Sequence, residues 1–146
     1  MRIPALFLAV AAGSLAGSLH AADDTAAPIV RHELASWERD IGYSGAVQSG
    51  DILHVSGVAC EGADMEEAVA ACYGRLGEIL QRFDAGTDQV LKETVYTTDM
   101  EALVRAIPQR RTFFPDARYP ASSWVEVRRL FGPQHLLEVE WTVQLR

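Results

Sequence analysis

Between Met65 and Phe83 the apolar residues Met65, Val69, Cys72, Leu76, Ile79, Leu80 and Phe83 recur every three or four positions. That period places them on one side of an α-helix. The segments on either side read as strands, so this helix has a sheet face to cover rather than other helices. Asp64 precedes it as an N-cap, and Glu66 and Glu67 suit the positive end of its dipole. Gly86, just beyond Phe83, reads as its terminator.

Three strands are predicted before this helix, over Ile29–Leu34, Tyr43–Gln48 and Ile52–Val58. Ser49-Gly50-Asp51 is a turn signal that makes the second and third a hairpin. After the helix, Val90–Thr98 is rich in strand-favouring residues. Asp99 caps a second helix with Leu103, Val104, Ile107 and Phe114 on its buried face, and Pro108 kinks it. Asp116–Pro120 reads as a loop. Ser123–Leu130 and Leu136–Leu145 alternate as the last two strands, with Gly132-Pro133 turning between them. The order β-β-β-α-β-α-β-β predicts an α+β fold, a mixed sheet with two helices on one face.

The N-terminus follows another pattern. Arg2 is the only charge before Asp23, Ile3–Leu19 is apolar, and Ala21 offers a small exit residue. This reads as a secretory signal peptide over residues 1–22. The stretch is interrupted by Gly13, Ser14, Gly17 and Ser18 and falls short of the ~20 apolar residues of a membrane span. The mature chain is expected to be periplasmic or secreted, with no stable membrane insertion. Residues 23–40 form a leader and first strand, and 41–146 one folded domain.

Thirteen basic and 20 acidic residues give net charge −7, with no Lys/Arg run, so a nucleic-acid partner is not expected. The four histidines form no HxH or HxxxH pair, which argues against a metal site. Cys60 and Cys72 are twelve residues apart. In an exported protein they suit a disulfide; as small apolar side chains they equally suit the core, and both readings stand. Glu126, Glu138 and Glu140 fall on what read as neighbouring final strands, Glu138 and Glu140 on one face. Trp37, Trp124 and Trp141 suit core or interface anchors, or ligand stacking.

Several blocks, in order, resemble the RidA/YjgF family: Tyr43 through Val55-Ser56-Gly57, Val90 to Met100, Phe113-Phe114-Pro115, Tyr119 to Val127, and Leu137-Glu138-Val139-Glu140. The resemblance spans about Ile41 to Arg146. It implies a chorismate-mutase-like α+β protomer whose sheets form a homotrimeric barrel, with ligand clefts between protomers. Family members hydrolyse reactive enamines and imines, such as 2-aminoacrylate, to keto acids and ammonia, with no metal or organic cofactor. In them an Arg clamps the substrate carboxylate and a Glu positions water.

Carried over by residue, the resemblance makes Glu138 the water-positioning catalytic group and Tyr43 and Gly57 cleft residues. The clamp is missing: active members read Pro-Ala-Arg where this chain reads Pro120-Ala121-Ser122. Trp124 stands where a small Cys is common. Alternation puts Ser122 and Trp124 on one strand face, filling a cleft that has lost its charge. Arg118, and behind it Arg111, are the candidates to replace the clamp. Two functions follow: an exported small-metabolite deaminase with an altered site, or a non-catalytic trimeric module that binds a small ligand.

Overall fold

The computed structural model describes residues 26–146, so the signal-peptide reading of residues 1–22 lies outside the described residues. Nine elements follow in order: β1 (Ile29–His32), β2 (Ala46–Ser49), β3 (Ile52–Cys60), α1 (Met65–Gln81), β4 (Val90–Thr97), α2 (Met100–Arg105), α3 (Ile107–Arg111), β5 (Ala121–Glu126) and β6 (Leu137–Gln144). The strands make one sheet in the order β1-β2-β3-β6-β4-β5. Every neighbouring pair is antiparallel except β4 and β5, which run parallel.

The alternation of β6 divides the sheet into two faces. Leu137, Val139, Trp141 and Val143 are buried, while Glu138, Glu140, Thr142 and Gln144 point the other way and are half-buried. The buried set packs with Leu53, Val55 and Val58 of β3 against Val69, Cys72, Leu76 and Leu80 of α1. Each such side chain stabilises the fold by roughly 1.5–3 kcal/mol. Asp64 caps α1 by accepting the Glu67 N–H at 2.9 Å. Cys60, the last residue of β3, is disulfide-bonded to Cys72 of α1, with Cα atoms 5.5 Å apart.

The structure corrects four readings. Gly86 does not end α1: Asp84 does, at φ 51°, with the Ala85 N–H donating to the Leu80 carbonyl. Val104 is exposed, because α2 and α3 break at Ala106 and turn Leu103, Ala106 and Arg110 inward instead. Tyr43 lies before β2, which starts at Ala46. Gly132-Pro133 is not a hairpin turn, since β4 lies between β5 and β6. Glu126 is therefore no neighbour of Glu138; its carboxylate accepts the Met100 N–H at 2.9 Å and helps cap α2.

Candidate functional site

β3 is nine residues long, but β2 pairs only with Ile52–Val55. Its register with β6 slips between Val55 and Val58, which puts Gly57 in a bulge. A notch is left beside the second half of β3, and the segment from Leu34 to Tyr43 crosses it. That segment is pinned from inside by Glu38, which is 3% exposed. One Glu38 oxygen accepts the N–H groups of Leu34 and Gly45, both at 2.9 Å. From outside, Arg82 of α1 donates to the Leu34 carbonyl at 3.2 Å.

A cavity of about 800 Å³ opens at this notch. Glu138 reaches into it from β6, over Gly57. A Cβ on Gly57 would fall 2.9 Å from the Glu138 Cδ, so the carboxyl takes this position only because residue 57 has no side chain. Burial pushes the Glu138 carboxyl above its ordinary pKa, Glu140 adds to the rise, and His135 opposes it. Among the described residues Glu138 receives no protein hydrogen bond. The Tyr43 hydroxyl donates to the Gly57 carbonyl at 3.0 Å, and burial raises its pKa also. Trp37 stacks on Tyr43 with ring centroids 5.6 Å apart. Phe131, 83% exposed, stands at the rim. Arg75 and Ile79 line the α1 side.

Ser122 and Trp124 share a strand face, as alternation requires, but within one protomer that face does not look into this cavity. The parallel register sets Ser122 beside Glu93 and Trp124 beside Val95, on the helix-covered side. There Glu93, 0% exposed, forms a buried ion pair with Arg110. Its carboxylate also accepts from Ser122 Oγ at 2.7 Å, Tyr73 Oη at 3.0 Å and Trp141 Nε1 at 3.3 Å. Trp124 donates its indole N–H to Ser122 Oγ at 2.6 Å, and the Arg110 guanidinium sits 5.5 Å from the Trp124 ring and 4.8 Å from Phe114. Next to Glu93, burial drives the Tyr73 hydroxyl pKa strongly upward, so it is a fixed neutral donor. The position that read as a missing clamp is thus tied, at the exposed edge of the sheet, to a buried ion pair.

Within one protomer Arg118 stands apart from the cavity. It lies 3.8 Å from Asp88 and does not line the cavity. Arg111 donates to the Tyr119 hydroxyl. The structure thus brings Glu138, Tyr43 and Gly57 together and keeps Ser122, Trp124 and Arg118 apart from them. Sequence reasoning missed Arg75, Glu38, Glu93 and Arg110. A signal existed for the first: Arg75, Ile79 and Arg82 are spaced by four and three, one side of α1 at the margin of its apolar stripe. No group of three or more metal-ligating side chains occurs among the described residues.

These features define a class: an α+β protomer with helices on one sheet face and an isolated carboxyl set over a strand bulge at a sheet notch. The chain belongs to the family described as Endoribonuclease L-PSP, whose sequence profile matches residues 35–145, and which solved relatives name YjgF or Rid. A member of the YjgF/YER057c/UK114 family from Mycobacterium tuberculosis is 26% identical, with TM-score 0.73 over 81% of this chain and 100% of that one. A YjgF-family protein from Neisseria meningitidis is 23% identical, with TM-score 0.72 over 82% and 96%. A Rid-family protein from Yersinia pestis is 22% identical, with TM-score 0.66 over 70% and 87%. No curated protein sequence matches the chain significantly.

Proposed function

We propose that this protein is an exported, trimeric small-metabolite hydrolase of the Rid type that converts reactive imines, or the enamines that tautomerise to them, to carbonyl compounds and ammonia. The observation that carries the reading is the Glu138 carboxyl: half-buried over Gly57, raised in pKa and without a protein hydrogen bond among the described residues. Such a group is suited to hold and deprotonate a water. Water oxygen bonds to the imine carbon, Glu138 takes the water proton, and the C=N electron pair moves to nitrogen, which receives that proton from Glu138. The carbinolamine hydroxyl proton then passes through Glu138 to nitrogen, the C–N bond breaks, and ammonia leaves as the C=O bond forms. No external oxidant or cofactor enters this balance.

Assembly and export are supported from separate directions. β5 pairs only with β4, so its outer edge is open, and the notch beside β3 offers a second unpaired edge. Joining the two between copies would bring the Ser122–Trp124 face of one protomer toward the Glu138 cavity of the next. The Cys60–Cys72 disulfide suits an oxidising compartment. N-terminal sequencing of protein from its natural host is expected to find the chain starting near Asp23, and retention of Met1 would refute export.

A non-catalytic binding role is the second reading, and one observation favours it: the Ser122 hydroxyl is committed to Glu93. Assay of the purified mature chain with imines generated in situ separates the two. Turnover that disappears in Glu138→Gln supports the hydrolase. Ligand binding with no turnover supports the module. Cleavage of RNA, the activity named in the family description, is disfavoured by net charge −7 and the lack of any Lys/Arg run.

A further inference from the structure

We infer that Trp37 is a stacking wall of the Glu138 cavity, and that the substrate it selects is an aryl imine, whose C=N bond is conjugated with a planar aromatic ring. This inference rests on the proposed reading of that cavity. Trp37 lies in a six-residue 3₁₀ turn, Ser36–Ile41. A buried carboxylate is costly, and here Glu38 uses one to hold this turn. Its side chain accepts the Leu34 and Gly45 N–H groups, and its own carbonyl accepts the Tyr43 N–H at 2.8 Å. Gly42 closes the turn at φ 72°. Gly45 leaves the space that the carboxylate fills, since a Cβ there would lie 2.5 Å from Glu38 Oε1. Beyond the turn, the Ser44 carbonyl accepts from Ser56 Oγ at 2.7 Å and the Gly45 carbonyl from the Ser56 N–H at 3.0 Å. The segment is thus docked on β3 one residue before the bulge.

What this scaffold presents is an uncovered aromatic surface. The Trp37 indole lies on the Tyr43 ring with 28° between the planes, and no other ring meets it among the described residues. It lines the cavity and is 54% exposed, so its second face is open. Phe131 adds another uncovered ring at the rim. Large apolar side chains fixed in place and left bare at a concave site gain by being covered. The stack is also joined to the chemistry. The Tyr43 hydroxyl bonds the Gly57 carbonyl, and Gly57 underlies the Glu138 carboxyl, so rings and carboxyl are set by one bulge. An aryl imine is flat through its ring and its C=N bond. Stacked on the indole, it offers the water held by Glu138 one face of the imine carbon in a fixed orientation. An alkyl imine of the same size packs against the indole without that constraint.

The test compares a flat with a puckered ring and has a binding arm that needs no turnover. Binding of acetophenone and of cyclohexyl methyl ketone to the mature protein is followed by calorimetry; these are the ketones that the matching imines would release. The wild type is expected to bind acetophenone about three- to tenfold more tightly, although the cyclohexyl compound is the more apolar. Trp37→Leu keeps an apolar side chain and removes the flat face, so it should abolish the preference; Trp37→Phe should keep part of it. Equal binding of the two ketones by the wild type, binding of neither, or an unchanged preference in Trp37→Leu overturns the inference. Light scattering on the same variant is the second readout. If Trp37→Leu forms a smaller assembly than the wild type, the indole is covered by another copy of the chain and not by a ligand, and the inference fails. A wild type that prefers acetophenone through Trp37 yet hydrolyses no imine would refute the hydrolase reading and leave the aromatic wall standing. Imine turnover that needs Glu138 but does not distinguish aryl from cyclohexyl would do the reverse.

Discussion

Replacing Arg110 with Met removes one half of the only ion pair in which both partners are buried among the described residues. Glu93 would keep its hydrogen bonds from Ser122, Tyr73 and Trp141 but lose the guanidinium that neutralises it. Neutral donors do not offset a buried charge. Removing one partner of such a pair costs about 3–5 kcal/mol, most of it the penalty of the charge left behind. A domain of this size loses roughly 3–5 °C of Tm per kcal/mol, so a fall of about 10–20 °C is expected. Total stabilities are about 5–15 kcal/mol, so the variant should remain folded at low temperature but marginal when warmed.

The same argument predicts that the two sites are not additive. Glu93→Gln removes the charge, keeping an oxygen that accepts from Tyr73 and Trp141 and an NH2 that can donate to Ser122 Oγ. Arg110→Met combined with Glu93→Gln should therefore be more stable than Arg110→Met alone, with a coupling of about 2 kcal/mol. Urea unfolding followed by tryptophan fluorescence measures this directly, because Trp141 donates to Glu93 and is 2% exposed. If Arg110→Met lowers stability by less than about 1 kcal/mol at unchanged m-value, or if the double variant is simply additive, the pair does not carry the role assigned to it.

Exchanging both Cys60 and Cys72 for Ser opens a cross-link over 12 residues and should lower stability by about 3 kcal/mol, seen as a lower urea midpoint. Gly57→Ala would drive a methyl group into the Glu138 carboxyl; loss of about a hundredfold in turnover or ligand affinity is expected, checked in the same assays as the wild type. Because burial lifts the Glu138 pKa, this group favours folding fully only below the ordinary carboxyl range, and that contribution is lost as pH rises through its raised value. Glu138→Gln should accordingly melt higher than wild type at neutral pH, with the difference closing in acid.

What could be read in advance was whatever one segment decides by itself. The period of Met65–Phe83 needs only a single helix face, and the alternation of Leu137–Leu145 only two strand faces, so α1 and β6 were legible. Partnership was not. Alternation marks Ser123–Leu130 as strand but cannot say that β4, not β6, lies beside it; β5 is in fact shorter, Ala121–Glu126, and parallel to β4. That one difference moves Glu126 away from Glu138 and sets Ser122 against Glu93. Arg118 lies four residues before Ser122, on the parity of that strand face, but Asp116 and Ala117 at φ 54° and 55° turn the chain before it. Tyr43, Gly57 and Glu138 lie together because the bulge at Gly57 admits the Glu138 carboxyl and the Tyr43 hydroxyl bonds the Gly57 carbonyl. Arg75 lies outside the blocks that carry the family resemblance.

Ser122, Glu93 and Arg110 make physical sense only together. An Arg at position 122 would place a second guanidinium on the strand face that already holds one, with Glu93 the carboxylate both would contest. Ser122→Arg would also deprive the Trp124 indole N–H of its acceptor and Glu93 of a donor. A new side chain that displaces Arg110 strands a buried guanidinium at about 1–3 kcal/mol, and one that stays in solvent still costs Glu93 the Ser122 donor. The variant is therefore expected to lower the urea midpoint and to leave keto-acid affinity near that of wild type. If Ser122→Arg instead tightens keto-acid binding tenfold without loss of stability, position 122 serves the ligand rather than the Glu93 network.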